Sequence, residues 1–356
     1  MRKISAEIVA DSVSPQGHRI TTYLLTYPRM IHAEVMTHRM FSRNAASSRA
    51  IPFERMVESV KTDPFIPIAF QKSHKGMQGS EYLEGESLKY AISGWLSAKD
   101  AAVKAAQNLA NTDTTKQLCN RILEPFLWYT NLVTATEYDN FFELRCPQYR
   151  IGDEVFKSKR DAIQATIDCG DGTPMYIEHE GATYLGGMRP PEEYWRDNNE
   201  SHAEIHIQVL AEAMWDARNE SWPKTLRAGE WHIPFSFRMD LSSSKLDKFK
   251  YEDRALTDEE LNALKLKIAT ARCARLSYET HDGEIDYEKD IKMHDTLLER
   301  KHASCFEHCA KAMSNDEADR FTITIPSKNP LVDRSGENGW CRNLRGFIPY
   351  RHIVGL

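Results

Sequence analysis

The chain has 356 residues, of which 41% are apolar and 10% aromatic, and its formal net charge is -6 at pH 7. This composition predicts a globular protein with a sizeable core, and the negative charge supplies no general attraction to nucleic acid or an anionic membrane. No apolar run approaches the ~20 residues of a membrane span, and seven scattered cysteines indicate a reducing compartment. We therefore expect a soluble, cytoplasmic protein with no membrane or nucleic-acid partner.

The first elements in chain order are a strand and a helix, followed by further helices. Residues 20–28 are rich in β-branched and aromatic side chains, and a helical pattern begins after Pro28. Residues 87–110 predict a long helix from their propensities. Residues 114–133 predict another helix, bent or interrupted at Pro125.

The pattern changes to β-type runs between Gly/Asp turns after Cys146. We interpret residues 147–200 as an inserted β-rich lobe within a single domain spanning residues 1–356. A helical pattern returns over residues 201–218 and 257–278. In the latter, Thr257 and Glu260 have the spacing of a capping box.

Residues 36–56, MTHRMFSRNAASSRAIPFERM, are rich in hydrogen-bond donors and contain four arginines and four hydroxyl side chains. Guanidinium groups and hydroxyls suit phosphate and planar oxygen acceptors, because arginine donates two parallel charged hydrogen bonds. The segment therefore predicts a nucleotide site. An ordinary surface helix and loop is the alternative interpretation.

A second polar cluster lies in residues 299–312, ERKHASCFEHCAKA. Its histidines and cysteines at helical spacing are compatible with a metal site, but the paired CxxC or HExxH spacing of a strong zinc motif is missing. A helix start is the other interpretation, with Ser304 as N-cap and Glu307 closing a capping box. We predict no metal.

Both segments resemble blocks of the flavin-dependent thymidylate synthases. The family signature Arg-His-Arg, seven residues, Ser, and Arg two positions later is matched by Thr37-His38-Arg39, Ser47 and Arg49, with Thr37 replacing the first arginine. Residues 301–308, KHASCFEH, resemble the family's Gly-His-x-Ser/Thr-Pro-Phe-Glu-His block. ARCARLSY at residues 271–278, NRILEPFLWYT and DNFFELR are similar to further blocks.

The order of the blocks is permuted, because residues 301–308 follow the signature that they normally precede. The resemblance implies a circularly permuted α/β (α+β) fold, with an antiparallel sheet flanked by helices, in a homotetramer. It also implies the reaction: a one-carbon unit passes from 5,10-methylenetetrahydrofolate to C5 of dUMP, giving dTMP, with FAD reduced by NADPH as hydride donor. The nucleotide and the folate would be the small-molecule partners.

The resemblance further implies roles for individual residues. Arg145, Ser47 and Arg49 would be catalytic, with Arg145 polarising the pyrimidine ring. Nucleotide binding would use Glu34, Ser47, Ser48, Arg49, Arg121 and Arg145. Contacts to flavin or folate would come from His38, Arg39, Ser42, Asn44, Asn140, His302 and Glu307.

Glu34 stands where the family commonly has a glutamine, and this exchange replaces an amide donor by a charged acceptor. It predicts, as an alternative, C5 modification of another pyrimidine deoxynucleotide such as dCMP.

Other interpretations remain open. Cys146, in LRCPQYR, would be the nucleophile of a cysteine-dependent methyltransferase. A non-catalytic nucleotide-binding relative would have lost the flavin contacts. The polar residues between Trp340 and Arg345 would contact the nucleotide or cofactor, or belong to a helix packed by Trp340, Leu344 and Phe347.

Overall fold

A computed structural model describes residues 2–75, 79, 81–167, 175–240, 249, 256–278, 286–323 and 336–356. The strands in these ranges are β1 (Ser5–Val13), β2 (Arg19–Pro28), β3 (Ser42–Ala45), β4 (Trp128–Ala135), β5 (Tyr149–Ile151), β6 (Glu154–Phe156), β7 (Ile177–His179), β8 (Ala182–Tyr184), β9 (Lys224–Thr225), β10 (Trp231–His232), β11 (Ala310–Ala312), β12 (Trp340–Cys341), β13 (Leu344–Arg345) and β14 (Phe347–Pro349). The α-helices are α1 (His32–Met36), α2 (Phe53–Thr62), α3 (Gly85–Ala110), α4 (Lys116–Leu123), α5 (Asp139–Arg145), α6 (Lys159–Ala165), α7 (Glu192–Asp197), α8 (Ile205–Glu220), α9 (Asp258–Arg275), α10 (Tyr287–Glu299), α11 (Asn315–Arg320) and α12 (Tyr350–Ile353). None of the described helices has the length and apolar character to cross a bilayer.

The largest sheet of the described residues has the order β3-β4-β2-β1-β9. Its neighbouring strands are antiparallel, apart from the short parallel pair β1 and β9. Helices cover both faces, so the predicted mixed fold with an antiparallel sheet flanked by helices is confirmed. β3 is an edge strand, and this places the donor-rich segment at the border of the sheet.

The two faces of the sheet bury different cores, as the alternation of side chains along each strand requires. On one face Tyr23 and Leu25 of β2 pack in a cluster with residues of α5 and α8, such as Phe142. On the other face Leu132 of β4 packs with residues of α9 and with Phe306. The sheet is therefore the middle of three layers, and β3 lies between the two helical layers at its edge.

Three sequence-based helix predictions are wrong. The helix predicted past Pro125 ends at Leu123, and residues 128–135 form β4, since WYTNLVTA is aromatic and β-branched. Residues 304–307 form one 3-10 turn with no side-chain cap, and strand β11 follows shortly after. The segment at Trp340 forms the β12–β13 hairpin in place of a helix.

Other predictions agree with the structure. The strand-to-helix passage after Pro28 is confirmed by β2, a 3-10 turn and α1. The helices predicted at residues 87–110 and 201–218 correspond to α3 and α8. The capping box of Thr257 and Glu260 is present at the start of α9.

The predicted insertion, residues 147–200, contains the hairpins β5–β6 and β7–β8 and also the helices α6 and α7. Its described apolar side chains form a small cluster around Tyr149, Tyr194 and Trp195. Residues 168–174 of the prediction lie outside the described residues.

A row of buried, hydrogen-bonded polar side chains crosses the centre of the sheet. His232 Nδ1 lies 3.0 Å from Ser12 Oγ, and its Nε2 lies 2.8 Å from Thr22 Oγ1. Thr22 Oγ1 is 2.7 Å from Thr134 Oγ1, which is 2.8 Å from His308 Nδ1. Burial lowers the pKa of His232 to about 4 and that of His308 to about 3, so both rings are neutral at pH 7.

These histidines are expected to destabilise the protein in mild acid. A pKa below the unfolded value of 6.5 means that the unfolded chain binds protons first, so stability is lost as pH falls from about 6.5 towards the folded pKa. For His308 alone the loss between pH 7 and pH 5 is about 2 kcal/mol. Between pH 7 and pH 5 the free energy of unfolding should fall by about 2 kcal/mol less in His308→Asn than in the parent protein. Urea unfolding at both pH values measures this difference. An equal loss in both proteins would contradict this assignment.

Candidate functional site

The site is built around β3, whose side chains alternate between the two helical layers. Ser42 and Asn44 are buried on one face, while Arg43 and Ala45 are partly buried on the other. Asn343 Nδ2 donates to Ser42 Oγ and to the carbonyl oxygen of Met40, each at 2.9 Å. Asn44 Nδ2 donates to the carbonyl oxygen of Cys273 at 2.9 Å. The polar face of β3 therefore anchors the strand to α9 and to the β12–β13 hairpin.

The hairpin that presents Asn343 has a left-handed residue at its turn, because Arg342 has φ 60°. Such a conformation is costly for a residue other than glycine and is found where the surrounding structure requires it. The contact of this segment with a ligand stays a prediction, and its contact with the signature segment is direct.

His38 and Arg145, which are 107 residues apart, are in contact on the other side of β3. Arg145 Nε donates to His38 Nε2 at 3.3 Å, which requires the His38 tautomer with hydrogen on Nδ1. The His38 ring is stacked on Phe41 and meets Phe141 edge to face, with centroids 5.7 and 4.8 Å away. Burial, with Arg145 and Arg43 nearby, lowers the His38 pKa to about 4. His38 is therefore a neutral acceptor that orients the Arg145 guanidinium.

Arg43 is a site residue that our sequence analysis did not assign. Its guanidinium donates to the carbonyl oxygens of Met36 and His38, at 3.0 and 3.4 Å. Burial lowers the pKa of Arg43, and the nearby Tyr27 and Glu307 oppose that effect. Its position between Ser42 and Asn44 in the signature was the signal available in the sequence.

Glu34 has a buried acceptor without a donor. The residue is half-buried in α1, and its Oε2 accepts no hydrogen bond from the described residues. A buried acceptor left unpaired costs about 1–3 kcal/mol, and more when it is charged. A ligand that donates a hydrogen bond here would recover part of that cost.

A cationic cavity of about 640 Å³ opens beside the buried end of β3. Asn44 and His302 both line it, and Ser47 adjoins it because its backbone N–H donates to the carbonyl oxygen of Ser277 at 3.1 Å. Its other described lining residues are Ala274, Arg275, Ser277, Tyr278, Lys289, Lys292, Met293, Thr296, Leu297, Arg300, Ser304 and Cys305. The size is that of a ligand cavity, and the basic side chains suit an anionic ligand.

Two arginines of this cavity region are fixed by one buried carboxylate. Asp290 is fully buried and accepts from Arg272 Nε at 3.1 Å and from Arg275 Nε at 2.7 Å. This triad joins α9 to α10 and sets the position of Arg275 in the cavity wall.

Glu307, predicted to contact the flavin or folate, forms an ion pair with Arg351 of α12. Our sequence analysis did not assign Arg351, because the residues around it in the sequence gave no specific signal. Its Nε is buried and has no partner among the described residues.

The remaining predicted residues are more exposed. Arg39, Arg49, Arg121 and Asn140 all have exposed side chains. Arg121 lies 3.9 Å from Glu124 Oε1, and Ser47 Oγ accepts from the backbone N–H of Arg49 at 3.3 Å. The carbonyl oxygen of Ser48 accepts from Asn120 at 2.7 Å. One chain thus brings together His38, Arg145 and the β3 segment. Within the part of the chain that the structure describes, no hydrogen bond or ion pair joins Arg121 or Asn140 to His38 or Arg145.

The structure contradicts the cysteine-nucleophile interpretation. Cys146 is 1% exposed within the core beside α5 and α8. Burial raises the pKa of its thiol well above the usual range, so no thiolate forms near neutral pH. Cys305 and Cys309 are also buried, and burial raises the pKa of each to about 12.

No protein-family model matches this chain, and no curated protein sequence does. Among solved structures, the chain is similar to a UMP/dUMP methylase, PolB from Streptomyces cacaoi, bound with 5-Br UMP: identity is 16% over 62% of this chain and 90% of that one, with a TM-score of 0.39. A second structure of PolB, bound with 5-Br dUMP, shows 15% identity over 57% of this chain and 68% of that one, with a TM-score of 0.35.

Proposed function

We propose that this chain is a flavin-dependent thymidylate synthase, which transfers a one-carbon unit from 5,10-methylenetetrahydrofolate to C5 of dUMP. The observation that supports it is the convergence of distant sequence blocks on β3. Arg145 contacts His38 of the signature, and Asn44 of the signature shares a cationic cavity with His302. Residues that resemble one family's motifs thus lie together although up to 264 positions separate them, from His38 to His302.

We assign this cavity to FAD, a dinucleotide with two phosphates. Lys292 and Arg300 form no ion pair within the described residues, and they would balance the phosphate charges, while Tyr278 offers an exposed aromatic ring to a planar group. His302 and Asn44 would complete the contacts of FAD. When bound, FAD reduced by NADPH would supply the hydride.

Arg145 would activate the pyrimidine. C5 of uracil is a weak nucleophile until electron density is pushed through the ring, and a fixed cation at the carbonyl edge stabilises the charge that develops on the oxygen. His38 Nε2 accepts a hydrogen bond from the Nε–H of Arg145. The two terminal nitrogens of the Arg145 guanidinium have no hydrogen-bond partner within the described residues. The guanidinium is therefore oriented in advance and keeps donors for a substrate.

The resemblance assigns the substrate phosphate to Arg121, with Ser47 and Arg49 holding the nucleotide. Asn120, which precedes Arg121 in α4, donates to the carbonyl oxygen of Ser48 at 2.7 Å, so α4 lies beside the segment that carries Ser47 and Arg49. We include the homotetramer in the proposal, because a neighbouring subunit would complete a site to which Arg49 and Arg121 contribute from the surface. Folate would lie on the side of His302 and Glu307.

The proposal is tested by the visible spectrum of the purified protein. We expect bound flavin that absorbs at about 450 nm, bleaches with NADPH under anaerobic conditions and responds to dUMP, since flavin carries the redox chemistry of this reaction. Formation of dTMP on adding the folate should follow. A protein that is colourless and cannot be loaded with FAD would instead favour a non-catalytic nucleotide-binding relative.

The double variant Lys292→Ala/Arg300→Ala is expected to weaken FAD binding about a hundredfold or more, because each of the two charged hydrogen bonds to phosphate contributes roughly 1.5–3 kcal/mol. Fluorescence titration of the flavin measures the change. Lys104→Ala, on the exposed side of α3, is the matched control and should bind FAD like the parent protein. Unchanged FAD affinity in the double variant would place the flavin elsewhere.

A second substrate is favoured by the unpaired Oε2 of Glu34. Carboxylates accept hydrogen bonds from the exocyclic amine of cytosine, so dCMP is the alternative to dUMP. Titration with each nucleotide decides between them, and Glu34→Gln should shift preference towards dUMP if Glu34 contacts the base. Tight binding of dUMP, with dCMP inert, would remove the dCMP alternative.

A further inference from the structure

The segment that carries His38 lies between two regular elements, and its backbone hydrogen bonds at His38 are long. It runs from the end of α1 at Met36 to the start of β3 at Ser42. The backbone N–H of His38 donates to the carbonyl oxygen of Val35 at 3.4 Å, and that of Phe41 donates to the carbonyl oxygen of His38 at 3.3 Å. Since N–H···O distances of about 2.9–3.0 Å are the most common, these two bonds define the position of His38 only loosely.

Arg43, the second residue of β3, holds this segment through one guanidinium nitrogen. Its Nη1 donates to the carbonyl oxygen of Met36 at 3.0 Å and to that of His38 at 3.4 Å. The Met36 carbonyl belongs to the last turn of α1, where a helix has no donor of its own to offer. Because β3 pairs with β4 over its whole length, Arg43 connects the segment to the sheet.

The half-buried guanidinium of Arg43 is held by carbonyl oxygens and not by a carboxylate. It forms no ion pair within the described residues, and its Nε and Nη2 have no hydrogen-bond partner there. Glu307 lies near enough to favour the charged form of Arg43. The Arg43 side chain is therefore committed to the segment of His38, and its charge acts on the neighbouring side chains.

The ring of His38 joins the same segment to α5. Phe141 and Arg145 are four residues apart, so both side chains lie on one side of that helix. Phe141 meets the His38 ring edge to face with centroids 4.8 Å apart, and Arg145 Nε donates to His38 Nε2 at 3.3 Å. A shift of the His38 backbone therefore moves the acceptor that orients Arg145, and Arg43 opposes such a shift.

The charges around His38 favour its neutral ring, which is the form that accepts from Arg145. Burial is the main cause of its lowered pKa, and the positive charges of Arg145 and Arg43 lower that pKa further. A protonated ring has two donors and no acceptor, so it would repel the Arg145 guanidinium. The other titratable groups near Arg43 come from β2, α1 and the 3-10 turn, and they are Tyr27, His32 and Glu307.

We propose that Arg43 is a positioning residue, which fixes the backbone of His38 and, through the His38 ring, sets the direction of the Arg145 guanidinium. The inference rests on the proposed function, in which Arg145 polarises the pyrimidine. Arg43 acts through His38 and does not touch the pyrimidine itself. Loss of Arg43 therefore destabilises the transition state more than it weakens the binding of dUMP.

The first test is the steady-state kinetics of dTMP formation by Arg43→Met in the full chain. We expect kcat to fall about tenfold while the KM for dUMP changes less than about threefold, because a small misplacement of a preorganised donor acts mainly on the transition state. Arg43→Lys keeps the charge and should have an intermediate kcat. A raised KM with unchanged kcat would overturn the proposal and place Arg43 in direct contact with the nucleotide.

Arg160→Met is the matched control for these kinetics. Arg160 of α6 is a half-buried arginine that also donates to a main-chain carbonyl oxygen, that of Asp216, at 3.1 Å. It lies outside the site around β3, so its kcat and KM should equal those of the parent protein.

The second test is NMR of the His38 ring nitrogens in the protein without ligands, which shows the nitrogen that carries hydrogen. The parent protein should have hydrogen on Nδ1 alone, and Arg43→Met should show a mixture of both tautomers, since the hydrogen bond from Arg145 no longer fixes one. Arg43→Gln, which keeps an amide donor but no charge, replaces Arg43→Met if that variant does not fold, and its His38 pKa should rise.

A single tautomer with an unchanged His38 pKa in the neutral variants would overturn the proposal. This readout needs neither flavin nor nucleotide. Failure of the proposed reaction, seen as no dTMP from the parent protein, is therefore distinguishable from failure of the inference about Arg43.

Discussion

Replacing Arg145 by alanine is expected to lower the kcat for dTMP formation by about 10²–10³, the loss typical when one preorganised donor to a developing oxyanion is removed. Because Arg145 contacts His38 through one hydrogen bond, the free energy of unfolding should fall by only about 1 kcal/mol. Arg145→Lys keeps the charge but loses the planar fork, so its kcat should be intermediate. Steady-state kinetics and urea unfolding measure the two effects separately.

A readout independent of turnover is the titration of His38. The Arg145 charge helps to lower the His38 pKa, so the His38 pKa should rise in Arg145→Ala. NMR titration of the His38 ring measures this pKa. Arg320→Ala, an exposed arginine in the last turn of α11, is the matched control for both measurements. If Arg145→Ala retained half of the parent activity, Arg145 would have no part in the reaction.

The largest loss of stability is expected in Asp290→Asn, at about 3–5 kcal/mol, since removing one member of a buried ionic group leaves charge without compensation. Asp290 is fully buried, and both Arg272 and Arg275 donate to it. Urea unfolding followed by circular dichroism measures the change. Asp316→Asn, at an exposed position in α11, should change the free energy of unfolding by less than about 1 kcal/mol.

The same substitution should also affect the cavity, because Asp290 positions Arg275 in its wall. We therefore expect weaker FAD binding in the folded fraction of Asp290→Asn. A loss of stability below about 1 kcal/mol would show that the two arginines find other partners, and that the triad does not hold α9 against α10.

Local signals in the sequence predicted the helices and strands that are formed by interactions between residues close in sequence. The strand-to-helix passage after Pro28, the long helix α3 and the capping box of α9 follow from periodicity, propensity and one hydrogen-bond pair. β4 was missed because its aromatic and β-branched residues directly follow a helix that Pro125 terminates. Its strand conformation is fixed by pairing with β2 and β3, which a single sequence does not display.

The residues of the candidate site can also be divided into those that sequence signals predicted and those that depend on tertiary packing. The motif resemblance predicted His38, Arg145, Asn44 and His302 as site residues, and their roles stay predictions. The structure places Arg145 against His38, and Asn44 with His302 in one cavity. Lys292 and Arg300, which our proposal assigns to the FAD phosphates, were not predicted, since exposed basic residues within or just after a helix are ordinary on a solvated surface. Their place in the cavity wall depends on how α10 packs against α9, which is a tertiary property.

The hydrogen bonds of Asn343 to Met40 and Ser42 connect positions about 300 residues apart. During synthesis, β3 leaves the ribosome long before its anchor exists, and at about 5–20 residues per second the interval is tens of seconds. A nascent chain thus has an exposed edge strand carrying the signature residues, and such edges promote aggregation. Yield in cells is therefore expected to depend on chaperones that shield this edge until translation passes the β12–β13 hairpin.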